Sequence, residues 1–159
     1  MINSSCKIPI SQIDDKLFID TDIILDIALT RETHFHFSAI VFSLIESKSV
    51  IGYTSSVIVS NIYYIIRKID SHKSAIDFIS KLRILINILP VDDEIICLAL
   101  ESHFKDFEDA IQYYCAYKNK IDYLITRNVK DYSKAQMKVH TPEEYLKLKN
   151  ITSSLDTDG

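Results

Sequence analysis

Short apolar runs that stop abruptly at acidic or polar residues, set between helix-length amphipathic stretches, leave this chain few folds to choose from. The plainest instance runs from Phe104 to Tyr132, FKDFEDAIQYYCAYKNKIDYLITRNVKDY. Between Asp109 and Lys118, Ala110, Ile111, Tyr114 and Cys115 recur at helical spacing. Asp106, Glu108 and Asp109 stand at the head of that segment, where the positive end of a helix dipole favours carboxylates. Tyr123-Leu124-Ile125 is then long enough for a buried strand and too short for a buried helix. It stops at Thr126-Arg127-Asn128, with Asp131 close behind. A helix feeding a buried strand is half of an α/β unit, and in such sheets ligands bind beyond the carboxyl ends of the strands.

The matching half lies near the start of the chain. Leu17-Phe18-Ile19 is a second short apolar run, and it stops at Asp20-Thr21-Asp22. If the two runs are neighbours in a parallel sheet, Asp20, Asp109, Asp131 and Asp106 converge on one crevice. Like charges gathered so closely raise one another's pKa and oppose folding unless a cation neutralises them. An all-oxygen site of this kind suits Mg²⁺ or Mn²⁺. Asp22 has a simpler use as the cap of the helix it opens, and Asp92 likewise. Asp106 or Glu108 could serve the helix at Asp109 in the same way. Asp20 ends a buried strand with no evident cap to make.

The remaining elements fill in the alternation. Helices are expected over Asp22 to Leu29, Thr33 to Lys48, Ser56 to Ile69, Ser71 to Leu85, Glu94 to His103, and Thr141 to Lys149. Further strands are expected at Val50 to Tyr53, Ile86 to Leu89 and, as an edge, Lys138 to His140. In the third helix Ile58, Ile62, Ile65 and Ile69 form an apolar stripe, and in the fourth Ile76, Ile79, Leu82 and Ile86 run nearly in phase. Thr141-Pro142-Glu143-Glu144 combines a cap, a first-turn proline and first-turn acids. The fold class expected is α/β, a three-layer α/β/α sandwich with a small, mainly parallel central sheet. Residues 16–149 make one domain, preceded by an extension over 1–15 and followed by a flexible tail over 150–159.

Four segments in this order and at this spacing, FIDTD, TSSVIVSNIYYIIRK, DFEDAIQYYCA and DYLITRNVKDY, resemble a PIN domain over roughly residues 16 to 148. The resemblance implies a metal-dependent endoribonuclease using Mg²⁺ or Mn²⁺, of the kind that serves as the toxin of a VapBC-type toxin–antitoxin pair. It also implies an RNA substrate, a small antitoxin partner and a homodimer. Carried over by position, Asp20 matches the family's first carboxylate and Asp109 the third, while Asn128 and Asp131 both fall in the fourth motif. Asp20, Asp109 and Asp131 would be catalytic, with Asp106 a further metal ligand; Thr126 and Asn128 would orient water or a phosphate oxygen. One position departs from the pattern: Asn61 stands where the family usually has its second acid, a Glu. The site thereby loses a charge, unless Asp106 or Glu108 supplies it.

Two other readings compete. Asp20-Thr21-Asp22-Ile23 after an apolar strand also resembles the first motif of haloacid-dehalogenase-type phosphatases, with Thr126 in the place of their second. The chain lacks their glycine-rich turns and a Lys followed by a Gly-Asp-acid motif. The other alternative is a PIN-like module whose Asn61 marks a weakened site kept for binding RNA or protein. Glycine at positions 52 and 159 only excludes glycine-rich phosphate loops. The net charge of −4 argues against binding nucleic acid by bulk charge, so RNA contact needs a local basic patch. Arg67, Lys68, Lys73, Lys81 and Arg83 lie on one helix pair, where a solvated face is the default. His34 and His36 face different ways on a helix and share no metal. Three scattered cysteines and the absence of a transmembrane or signal-peptide pattern point to a reducing cytoplasm.

Overall fold

The computed structural model describes residues 13–151, so the expected extension and tail lie almost wholly outside the described residues. Where they overlap, the chain is tied down. The Ile13 and Asp14 amides both donate to Ser49 O at 3.2 Å, and the Asp15 carboxylate accepts from Tyr145 Oη at 2.8 Å and Lys149 Nζ at 2.7 Å.

Strands and helices alternate in the order β1 (Lys16–Ile19), α1 (Thr21–Ala28), α2 (Glu32–Glu46), β2 (Ile51–Ser55), α3 (Ser56–Ile69), α4 (His72–Leu85), β3 (Asn87–Leu89), α5 (Asp93–Glu101), α6 (Phe107–Lys118), β4 (Tyr123–Ile125), a 3-10 turn (Val129–Tyr132), β5 (Lys138–His140) and α7 (Pro142–Leu148). All four strand pairs are parallel, in the order β3-β2-β1-β4-β5. A parallel sheet covered by helices buries both of its faces, and the central strands show it: Leu17, Phe18, Ile19, Tyr123, Leu124 and Ile125 are all buried. This is the α/β sandwich that the alternation implied, with the sheet wholly parallel.

Helix starts are set by local chemistry. Ser55, Ser71, Asp92, Asp106 and Thr141 each accept a backbone N–H from the first turn that follows. Thr141 and Glu144 close a reciprocal capping box, with Pro142 at the first helical position. Two expectations need correction. Asp22 is not the cap of α1: Asp20 is, accepting the Thr21 N–H at 2.8 Å, and Asp22 lies in the first turn. The helix begins one residue sooner than the apolar pattern suggested, because the strand ends at Ile19 and hands its next residue directly to the helix. The apolar rows of the α3–α4 pair are also shifted. Ile58, Ile62 and Ile66 are buried in α3 while Ile69 is exposed; Ala75 and Leu82 are buried in α4 while Ile76 is exposed. Which row is buried is set by where the neighbouring layers lie, and periodicity within one helix does not fix that.

Sequence order reverses between β1 and β4, since β1 continues through β2 to β3 on one side and β4 through β5 on the other. Ile19 pairs with Ile125, so Asp20 and Thr126 leave adjacent strands side by side at their carboxyl ends. Such a reversal is where open α/β sheets form a ligand crevice.

Candidate metal centre

Asp20 is 8% exposed and held by three donors. Thr21 N–H reaches Oδ1 at 2.8 Å, while Thr126 Oγ1 at 2.8 Å and Tyr132 Oη at 3.1 Å both donate to Oδ2. Two hydrogen bonds on Oδ2 and one on Oδ1 leave the latter oxygen with the freer lone pair. Asp109, in the first turn of α6, comes to the same place from another layer. Its Oδ1 stands 3.4 Å from the Tyr132 hydroxyl. One phenol therefore spans the two carboxylates, and its single proton can satisfy only one of them at a time.

The geometry of α6 behind Asp109 is set by Gln112, a buried residue whose Oε1 accepts from Ser55 Oγ at 2.6 Å. Ser55 is at once the last residue of β2 and the cap of α3. Its hydroxyl thus locks α6 to the strand end beside Asp20. Burial was visible in the apolar neighbours of Gln112, but its partner lies 57 residues away and no local pattern announces it.

Electrostatics at the site are those of crowded acids. Burial pushes the Asp20 carboxyl up to about 6, with the Asp22 charge adding to it against the hydrogen bonds from Thr21, Thr126 and Tyr132. Asp109 is pushed up to about 7 by burial first, and then by the charges of Asp106, Asp20 and Asp131. The Tyr132 phenol is raised well above its ordinary range by burial and by the two carboxylates, so it stays a proton donor.

The other expected site residues are distributed as follows. Asp106 and Asp131 face Asp109 closely enough to act on it by charge, although Asp106 also spends one oxygen on capping α6, with Asp109 N–H at 3.0 Å. Thr126 orients Asp20 directly, and its Oγ1 also accepts the Asn128 N–H at 3.2 Å. The Asn128 side chain does not reach Asp20; its Nδ2 donates to Asp22 Oδ2 at 2.9 Å. Asn61 donates from Nδ2 to Glu108 Oε1 at 2.6 Å, so the amide that replaces the usual acid anchors a different acid, supplied by α6.

Three contributors escaped the sequence reading. Tyr132 had no helical or strand pattern to mark it, since it closes a 3-10 turn. Asp22 was assigned to capping, although its position two residues after Asp20 was a signal. Arg127 figured only in the polar stop after β4; its Nη1 stands 3.2 Å from Oδ1 of Asp26, a fully buried acid of α1, and its Nε 4.0 Å from Asp22. At 3.2 Å the guanidinium pairs with Asp26 by charge, although its N–H is not aligned for a hydrogen bond.

These donors are hard oxygens with surplus negative charge, which fits a divalent cation such as Mg²⁺. Among the described residues no three His, Cys, Asp or Glu side chains enclose a single point. Mg²⁺ tolerates that arrangement, because it keeps several waters and takes only one or two carboxylates from the protein. His34 and His36 are exposed on α2 and take no part.

The charge balance has a measurable consequence. Both carboxyls have folded values, about 6 and about 7, above the unfolded 3.8. Ionising them therefore costs the folded state, fully so above pH 7, and the cost is relieved as pH falls through 7 and 6. In EDTA, the melting temperature should rise between pH 8 and pH 5. Asp20→Asn should melt higher than the parent at pH 8 and flatten the profile near pH 6, since Asn caps a helix as well as Asp does. A melting temperature that fell over that range would refute the assignment.

Comparison with known proteins bears on the family and the fold. A family model for the PIN domain matches residues 16–130. Ribonuclease VapC1 of Aquifex aeolicus (strain VF5) is 30% identical over 136 residues, which span 82% of this chain and 93% of that protein. Among solved structures, DNA-bound VapBC from Salmonella typhimurium matches with a TM-score of 0.61 at 14% identity, covering 80% of this chain and 98% of that one. A toxin–antitoxin complex from Klebsiella pneumoniae matches with a TM-score of 0.58 at 21% identity, covering 79% and 97%. At these identities the structural likeness speaks for the fold.

Proposed function

The chain belongs to the PIN domain family, and from that premise we propose that it is a metal-dependent endoribonuclease, the toxin of a VapBC-type pair, with Mg²⁺ or Mn²⁺ as its ion. The observation that carries the reading is the meeting of Asp20 and Asp109 across one tyrosine hydroxyl at the sheet's switch point. Asp20 and Asp109 are the ligands to the ion, with Asp131, Asp106 and Asp22 completing the negative surround. The ion, when bound, supplies Lewis-acid chemistry to the phosphate and to the attacking water.

The chain's own groups prepare the rest. Thr126 and Tyr132 on Oδ2 and the Thr21 N–H on Oδ1 hold Asp20 in one orientation at the strand end. Asn61 holds Glu108 at the head of α6, so that an acid from another element stands beside the position of the family's second one. Lys105, Lys130 and Lys134 are exposed in the loops that carry Asp106 and Asp131. They form a local basic rim for a phosphate backbone on a chain of net charge −4. The basic residues of α3 and α4 are also exposed, and they stand on other elements. Family membership sets aside the phosphatase reading.

The partner follows from the same reading: a small antitoxin protein that covers the crevice, the toxin being a homodimer. No described helix is long and apolar enough to cross a membrane. The direct test is cleavage of a mixed panel of transfer and messenger RNA fragments by the purified chain with Mg²⁺ or Mn²⁺, with EDTA as control. Metal-dependent cutting is expected. Absence of cutting, together with no metal binding by calorimetry, would leave only a binding module.

A further inference from the structure

The face of α6 that carries Asp109 continues as a row of aromatic rings. Tyr113 and Tyr117 follow Asp109 at intervals of four residues, which places them about 6 and 12 Å further along the helix axis. Phe104 stacks on Tyr113, with ring centroids 5.1 Å apart and planes 29° apart, and Tyr113 lies 5.6 Å and 30° from Tyr117. Three rings thus form a ladder, each adjacent pair of planes meeting at 29° or 30°. At its inner end Phe104 meets the edge of Tyr132 at 6.2 Å, the residue whose hydroxyl spans the two carboxylates. At its outer end Tyr117 is 50% exposed. The middle ring is fixed, since Tyr113 is buried and its Oη accepts the Gln136 N–H at 3.2 Å.

A cleft of about 370 Å³ opens against this ladder. Its wall includes Tyr114, Tyr117, His103, Lys134 and Gln136, with Glu101 also at its margin. Flat aromatic faces beside an exposed lysine are the elements with which proteins hold single-stranded nucleic acid: bases stack on the rings and the cation meets the backbone. Tyr117 presents its exposed ring to this cleft, within reach of Lys134 on the same wall.

We propose that this cleft is a nucleobase subsite. In it, one base of the RNA strand, one or two nucleotides from the bond to be cut, stacks on Tyr117 while Lys134 meets its phosphate. The proposal rests on the ribonuclease reading above. It explains how a chain of negative net charge places a strand across a negatively charged crevice, because stacking needs no bulk positive charge.

The test is a walk of single abasic positions along a short single-stranded RNA, with kcat and KM measured for each substrate in Mg²⁺ or Mn²⁺. With the parent protein, one position at a fixed offset from the cut should be sensitive, raising KM by roughly 5- to 150-fold. Tyr117→Ala should abolish that sensitivity, Tyr117→Phe should retain it, and both should melt within a few degrees of the parent. Lys134→Ala should raise KM for every substrate and reduce the salt dependence. If the parent cuts RNA but the walk is flat, or Tyr117→Ala keeps the sensitive position, the subsite is wrong and the ribonuclease reading stands. If the parent neither cuts the RNA nor retains it in a filter-binding assay, the ribonuclease reading fails and the subsite falls with it.

Discussion

Asp109→Asn and Asp20→Asn are each expected to abolish metal-dependent RNA cleavage while leaving the chain folded. Outer partners of metal ligands typically cost 10- to 100-fold when removed, so loss of a ligand should exceed about 100-fold in kcat/KM. The two substitutions differ in what they spare. Asn at position 20 can still accept the Thr21 N–H that starts α1 and can still bond to Thr126 and Tyr132. Asp20→Ala would lose the cap as well, and its inactivity would say less. Asp109 is not a helix cap and its carboxylate is hydrogen-bonded by the Tyr132 hydroxyl, so Asp109→Asn removes charge with little else. Calorimetric titration with Mn²⁺ should show weakened binding in both variants, and EDTA melting curves should show no loss of stability at pH 8. Near-parental cleavage by either variant would overturn the metal assignment.

Arg127→Ala should produce the largest loss of stability from a single residue outside the core. Asp26 is fully buried in α1 and accepts from Ser38 Oγ at 3.0 Å. Arg127 Nη1 at 3.2 Å is its near cation, and Arg31 stands off at 4.0 Å. Removing the partner of a buried charge costs about 3–5 kcal/mol, because the remaining charge is left without compensation. For a domain of this size that is a fall of roughly 10 °C or more in melting temperature. Arg127→Ala combined with Asp26→Asn should recover much of the loss, since the stranded charge is then gone. An unchanged melting temperature for Arg127→Ala would show that Arg31 suffices. The pair also bears on activity. Arg127 lies between Thr126 and Asn128, so its bond to α1 pins the loop that presents Thr126 to Asp20. Arg127→Ala should therefore lower activity even at temperatures where it remains folded.

The site expected from the ends of two strands and the start of one helix is close to the arrangement observed, and the differences are instructive. Asp20, Thr126 and Asp109 were legible because their positions follow from where apolar runs stop. Asp20 was expected to have no cap to make, yet it caps α1, because the strand passes into the helix without a connector. Asn61 was legible as a departure and not as a tether, because Glu108 lies 47 residues beyond it. Asn128 was expected to orient water or a phosphate oxygen, and its side-chain amide donates to Asp22.

Composition and periodicity by themselves determined the layer architecture, the parallel sheet, most helix starts and the carboxylates at the strand ends. These follow from interactions within a few residues: burial at period 2 or 3.6, side-chain capping, and the stop of an apolar run. Only the tertiary structure decided that Tyr132 spans Asp20 and Asp109, that Arg127 neutralises Asp26, that Ser55 and Gln112 lock α6 to the sheet, and that Phe104, Tyr113 and Tyr117 line up beside the site. Tyr132 and Asp20, Ser55 and Gln112, and Arg127 and Asp26 are each brought together from different elements far apart in the chain. A polar side chain has no period to betray its partner, and which donor meets which acceptor is settled only when the packed layers bring them within 3 or 4 Å.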